Sequence, residues 1–118
     1  MHTKNGLLDK VRGSQTSLAD VENEALALVA AHCKFREGIL AGNSIHVDRR
    51  FLAHHMPAFE HFLHYRQVDV STLKVLTRAW YPRGARFEKE GKDHTALADI
   101  RESIAELRHY RTAFFRDA

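Results

Sequence analysis

Two short apolar runs most limit what this chain can fold into. Ile39-Leu40-Ala41-Gly42 follows Gly38, and Gln67 to Val70 comes later; both read as short strands. Residues 48–56 between them read as a helix stopped by Pro57, and residues 59–63 as a further turn or two. Strands joined by a helical crossover run parallel, and interior parallel strands need neighbours on both sides. Two such strands make a poor sheet by themselves. The pattern points to an α/β fold whose remaining sheet partners are not in this sequence.

The rest of the chain is helical in pattern. Residues 1–16 are polar, with Gly6 and Gly13, and read as a short helical turn plus loop. Ser17-Leu18-Ala19-Asp20 resembles a capping box with Asp in the place of the usual Glu. Leu18, Val21, Ala25, Leu28, Val29 and His32 share one helical face, which predicts a helix over 18–34. Ser71 is placed to cap a helix running to Trp80, ahead of Pro82. Residues 83–93 read as a charged loop. Leu97, Ile100, Ile104, Leu107 and Phe114 mark a long C-terminal helix. The expectation is about five helices and two short parallel strands in one domain over 1–118.

Composition narrows the function classes. Hydrophobic residues make up 44% of the 118, as in a soluble globular domain. No apolar run reaches membrane-spanning length, so no membrane partner is expected. Met1 to Lys10 has no apolar signal core, so secretion is not expected. Cys33 is the sole cysteine, which fits a reducing compartment. A net charge of +3 with nine histidines is compatible with an anionic ligand. A bulk duplex binder would carry a denser basic patch.

Two acids carry the chemical reading. Asp48 lies just past a strand and opens a helix, and ligand sites in open α/β sheets gather at the carboxyl ends of strands. A carboxylate there takes a hard cation such as Mg²⁺ or Mn²⁺. The plainer reading is that Asp48 helps start its helix. Asp99 sits beside the apolar stripe of the last helix, where an acid is costly unless it faces a site; the plainer reading is a solvated acid at a helix N-terminus. His94 precedes it by five residues and reaches the same place only from the loop before the helix, where Gly91 gives freedom. Alone, it reads as an exposed loop histidine.

A two-metal phosphodiester site would unite these residues, with His94 taking a proton from the attacking water. Such a site needs about three or four carboxylates. Asp48 and Asp99 are the two in suitable places, no Asp-x-Glu follows a strand, and Asp69 has a local structural role as its alternative. Cys33 has no partner pattern for zinc. His61 and His64 read as surface histidines, and Phe59/Phe62 and Phe114/Phe115 as core. Tyr65-Arg66 pairs an aromatic with a guanidinium, a combination suited to a base and a phosphate; a rim aromatic beside a surface charge is the alternative.

Several blocks, in order, carry a resemblance: His2-Thr3 with Gly6-Leu7; Ala41 to Phe51; Met56-Pro57; His64-Tyr65-Arg66; Asp69 to Lys74; Arg78-Ala79-Trp80; and His94 to Asp99 with Ile100-Arg101-Glu102-Ser103 and Glu106-Leu107. Together they resemble the oligoribonuclease family, DEDD-type 3′–5′ exoribonucleases with a histidine in the last motif. The resemblance implies a ribonuclease-H-like fold and a homodimer that degrades dinucleotides and other very short single-stranded oligoribonucleotides. It also implies two Mg²⁺ or Mn²⁺ ions held by four acids. Asp48 matches the third acid, Asp99 the fourth, and His94 the general base. Asn43 and Ser44 line the same pocket. Arg66, Ser71 and Thr72 match the group that caps the 5′ phosphate. Tyr65 matches an aromatic reaching the neighbouring subunit's site, and His2 a substrate-contacting histidine. The implied compartment is the cytoplasm or, in some family members, the mitochondrion.

The match covers the C-terminal two thirds of the family pattern. The strand bearing Asp-x-Glu, which carries the first two acids, is absent from it, as is the apolar wedge that splays the bases. Ala98 stands where an acid often precedes the last Asp, and Asn5 where Ser is usual. The expectation is a partial exonuclease domain that is inactive alone and has an exposed sheet edge. The alternative is a non-catalytic nucleotide-binding or interaction fragment.

Overall fold

In the computed structural model, residues 17–89 and 94–117 are described. The expectations for residues 1–16, His2 among them, and for residues 90–93 lie outside them. Among the described residues there are five helices and two strands: α1 (Leu18–Ala30), β1 (Leu40–Gly42), α2 (Ile45–His55), α3 (Pro57–Phe62), β2 (Gln67–Asp69), α4 (Val70–Trp80) and α5 (Ala96–Phe114). β1 and β2 pair in parallel, with Leu40 opposite Gln67, Ala41 opposite Val68 and Gly42 opposite Asp69. Because both strands end at the same level, α2 and α4 start at one end of the sheet.

Local chemistry explains the element boundaries. α1 opens with the capping box: Asp20 N–H donates to Ser17 Oγ, and Ser17 N–H to the Asp20 carboxylate. It ends at Ala30, four residues before the predicted end, because His32 and Cys33 N–H both turn back to Val29 O. α2 begins three residues ahead of Asp48. Its N-cap, Ser44, takes the left-handed conformation (φ 50°, ψ 44°) and makes no side-chain cap. α4 is capped by Asp69, whose carboxylate accepts from Ser71 N–H, and not by Ser71 as its sequence position suggested. Ser71 is already inside the helix, and its hydroxyl is used elsewhere.

The buried apolar set is small: Ile45, Met56, Leu63, Val70 and Tyr110. α2 packs on α3 and α4 on α5, and β1 touches α2, α4 and α5, so the short sheet links the two helix pairs. α1 packs on α3, where Glu22 accepts from Phe59 N–H at 3.1 Å, but its apolar face is not covered: Leu28 is 64% exposed, and no α1 residue is buried. Ile39 and Val68 at the strands are also exposed. Among the described residues β1 pairs only with β2, so its other edge carries no strand. No helix among the described residues is long and apolar enough to cross a membrane.

Candidate active site

Hydrogen bonds tie together the ends of the two strands. The Asp69 carboxylate accepts from Ser71 N–H at 3.0 Å and from Ser44 N–H at 2.9 Å, so one side chain fixes the starts of α2 and α4. Its other oxygen lies 3.8 Å from His46 Nδ1. This is the structural role weighed for Asp69 in the sequence. Beside it, Asn43 is fully engaged. Its amide nitrogen donates to Ser103 Oγ (2.8 Å) and Glu106 Oε1 (3.1 Å), and its oxygen accepts from Ser71 Oγ (2.9 Å). The Tyr110 hydroxyl donates to the other Glu106 oxygen at 2.5 Å. Burial, then this carboxylate, pushes the Tyr110 phenol well above its ordinary range, so it remains a neutral donor.

Over this floor opens a cleft of about 860 Å³. One wall is β1 and the start of α2, with Ile39, Ala41, Asn43 and Asp48; the other is α5, with Asp99, Ile100, Glu102 and Ser103. Asp48 and Asp99, 51 positions apart in the chain, therefore face one space. Both are exposed at the surface. Glu102 also lines it, and its Oε1 is buried without a hydrogen-bond partner among the described residues. An orphaned carboxylate oxygen carries a desolvation cost, so this wall is suited to a donor or cation that enters the cleft. The described residues do not gather three His, Cys, Asp or Glu side chains closely enough to hold a metal ion. Asp48 and Asp99 thus fit part of a divalent-cation site, not a whole one.

The other predicted residues fall in two places. His94 stands immediately before Thr95, the N-cap of α5, whose hydroxyl accepts from Ala98 N–H. It therefore lies outside the helix that carries Asp99, as the spacing argument required. Tyr65 and Arg66 lie between α3 and β2. His64 stacks on Tyr65, its ring nitrogen accepts from Arg66 N–H, and the Arg66 guanidinium sits 5.4 Å from the Tyr65 ring centre. Ser44 and Thr72 are exposed.

Arg49 holds this Tyr65-Arg66 segment in place. Its guanidinium donates to Glu60 (3.2 Å), His64 O (2.7 Å) and Arg66 O (3.4 Å). The fork reaches acceptors from two elements at once, and an ammonium cannot reproduce that geometry. Arg49→Ala is expected to lower unfolding stability by about 2–3 kcal/mol, the value of charge-assisted hydrogen bonds in a half-buried setting. Arg49→Lys should recover less than half of it. Urea denaturation of both variants checks this, and a lysine variant as stable as the parent contradicts it.

Sequence reasoning missed Glu102 and Glu106. They lie three and seven residues beyond Asp99, on the same face of α5. That spacing was a usable signal, hidden because the apolar stripe was read as the face that matters.

The exonuclease family profile matches residues 1–107. The oligoribonuclease of Thiobacillus denitrificans is 50% identical over 115 residues, covering 98% of this chain and 63% of that protein. The Azoarcus sp. oligoribonuclease is 53% identical over 116 residues, with the same coverage. The one from Streptomyces avermitilis is 56% identical over 119 residues, covering 58% of that protein. The chain thus spans less than two thirds of the length of these curated relatives. With its profile matched over most of its length, and with two acids from distant segments facing one cleft, the chain belongs to the exonuclease family.

Proposed function

We propose that these residues form part of a 3′–5′ exoribonuclease that hydrolyses very short single-stranded RNAs, dinucleotides above all. The observation that carries the reading is the meeting of Asp48 and Asp99 in one cleft, in a chain about half identical to proteins named oligoribonuclease. The surrounding architecture is that of a ribonuclease-H-like sheet. Asp48 and Asp99 contribute two of the carboxylates for a pair of Mg²⁺ or Mn²⁺ ions, whose charge stabilises phosphodiester hydrolysis. His94 holds the proton-accepting position beside them. Arg66, Ser71 and Thr72 receive the 5′ phosphate, with Tyr65, Ser44 and His2 at the substrate. The exposed Val75 and Trp80 of α4 leave apolar surface for a homodimer. The cytoplasm is the proposed compartment.

For residues 1–118 by themselves, a second reading has its own support: with no three-donor group among the described residues, they bind ligand without turnover. A hybrid separates assembly from chemistry. Residues 1–118 would replace the matching stretch of the Azoarcus oligoribonuclease. The hybrid should cleave a 5′-phosphorylated diribonucleotide in Mn²⁺, and Asp48→Ala or Asp99→Ala should each cost at least about 10³-fold in kcat. A folded hybrid that leaves the dinucleotide intact refutes the nuclease reading.

A further inference from the structure

Glu106 is the most buried charged residue described, at 1% exposure, and neither acid nor base chemistry in the cleft uses it. Burying a carboxylate is costly unless its oxygens are satisfied. Here both are: Oε1 accepts from the Asn43 amide and has Lys89 Nζ at 3.9 Å, while Oε2 accepts from the Tyr110 hydroxyl. Asn43 lies directly between the end of β1 and Ser44, whose left-handed backbone turns the chain into α2. Ser44 takes this conformation without glycine and without a side-chain cap; Asp69 and Ser71 hold its N–H from one side, and Asn43, the residue before it, is held from α5 on the other.

We infer that Glu106 is a positioning residue: through Asn43 it clamps α5, which carries Asp99, to the β1–α2 turn that leads to Asp48, and so sets how far apart the two acids stand. This rests on the nuclease reading for its consequence, but not for its mechanics. Asn43 is the shared joint, since both its amide hydrogens go to α5 and its oxygen goes to Ser71 at the head of α4. Three elements thus meet at one side chain. Tyr110, one turn beyond Glu106, keeps the carboxylate aimed at the turn rather than at solvent. Glutamine at 106 keeps an acceptor for Asn43 and a polar partner for Tyr110; alanine keeps neither.

The test compares the wild-type chain with Glu106→Ala, Glu106→Gln and Met56→Ala, the last a truncation of a buried side chain at the end of α2, away from the clamp. Amide hydrogen exchange is read at residues 43–48 and, as an internal reference, in α3. Mn²⁺ binding is read from the electron paramagnetic resonance signal of the free ion. Glu106→Ala should raise exchange at 43–48 by tenfold or more relative to α3 and weaken Mn²⁺ binding by tenfold or more. Glu106→Gln should stay within about threefold of wild type in both. Met56→Ala, even with a comparable fall in melting temperature, should not single out residues 43–48. If Met56→Ala gives the same local pattern, or if Glu106→Ala leaves residues 43–48 as protected as in wild type, the clamp is overturned. If Glu106→Ala does not fold, Glu106→Gln decides together with Asn43→Asp, which sets a second carboxylate against Glu106 and should loosen the same residues. If the wild-type chain does not bind Mn²⁺, as its incomplete carboxylate set allows, exchange alone decides the clamp, and the hybrid decides the nuclease reading.

Discussion

Purified residues 1–118, given a 5′-phosphorylated diribonucleotide and Mn²⁺, should release mononucleotide no faster than an Asp99→Ala control. The reason is charge and coordination. Hard divalent cations take six or more oxygen ligands in a demanding geometry and give up their waters reluctantly. A pair of them needs several carboxylates to offset their charge at close range. The cleft offers Asp48, Asp99 and the orphaned oxygen of Glu102, which among the described residues do not gather into a three-donor group; the oxygens of Glu106 are taken by Asn43 and Tyr110, and Asp69 is the cap of α4. Losing one member of a catalytic unit typically costs on the order of 10⁴–10⁶ in rate, and the losses are not additive. The expected rate is therefore at least about 10⁴-fold below that of an intact oligoribonuclease. Release of mononucleotide that depends on Mn²⁺ and disappears in Asp99→Ala would show that the cleft is already sufficient.

Elements with a strong local signature were legible in the sequence. The capping box at Ser17, the apolar stripe of α5 and the Pro57 that stops α2 each place a boundary through chemistry confined to a few residues, whereas the start of α3 at Pro57 itself, two residues ahead of the expected Phe59, was not foreseen. Boundaries set by other means were not. The start of α2 depends on a left-handed serine with no side-chain cap, so nothing near Asp48 announced it. The cap of α4 is Asp69 because the Ser71 hydroxyl is drawn 28 residues away to Asn43, a demand that propensity does not encode. Apolar periodicity continued to His32 although the helix had already closed, since periodicity reports which face is apolar and not where the hydrogen bonds stop.

The site divided in the same way. Asp48 and Asp99 could be chosen from their position after a strand and beside an apolar stripe, and the fold brings them to one cleft. Asn43 could be placed near them only by resemblance. Its partners Ser103 and Glu106 lie 60 and 63 residues away, so its role as a joint appears only once α5 packs against β1. The exposed face of α1 shows the converse: the sequence indicated an apolar face correctly, but not whether the described residues would cover it.

Leu63→Ala should remove most of the chain's cooperative unfolding transition at 25 °C. Leu63 is 4% exposed and ends α3, where its N–H bonds back to Glu60 O. Truncating a buried leucine costs about 2–5 kcal/mol, from lost transfer energy and from the cavity left behind. Small domains have about 5–15 kcal/mol in total, and this one buries only five large apolar side chains among the described residues, which places it at the low end. The loss therefore consumes most of the available stability. Leu63→Met keeps the volume and should cost less than about 1.5 kcal/mol. Leu28→Ala on the uncovered face of α1, where the side chain is 64% exposed, should change stability by no more than about 0.5 kcal/mol. Urea denaturation followed by far-ultraviolet circular dichroism reads all three. If Leu63→Ala and Leu28→Ala shift the midpoint equally, the stabilising core is not the buried set that includes Leu63 but a surface that includes the apolar face of α1.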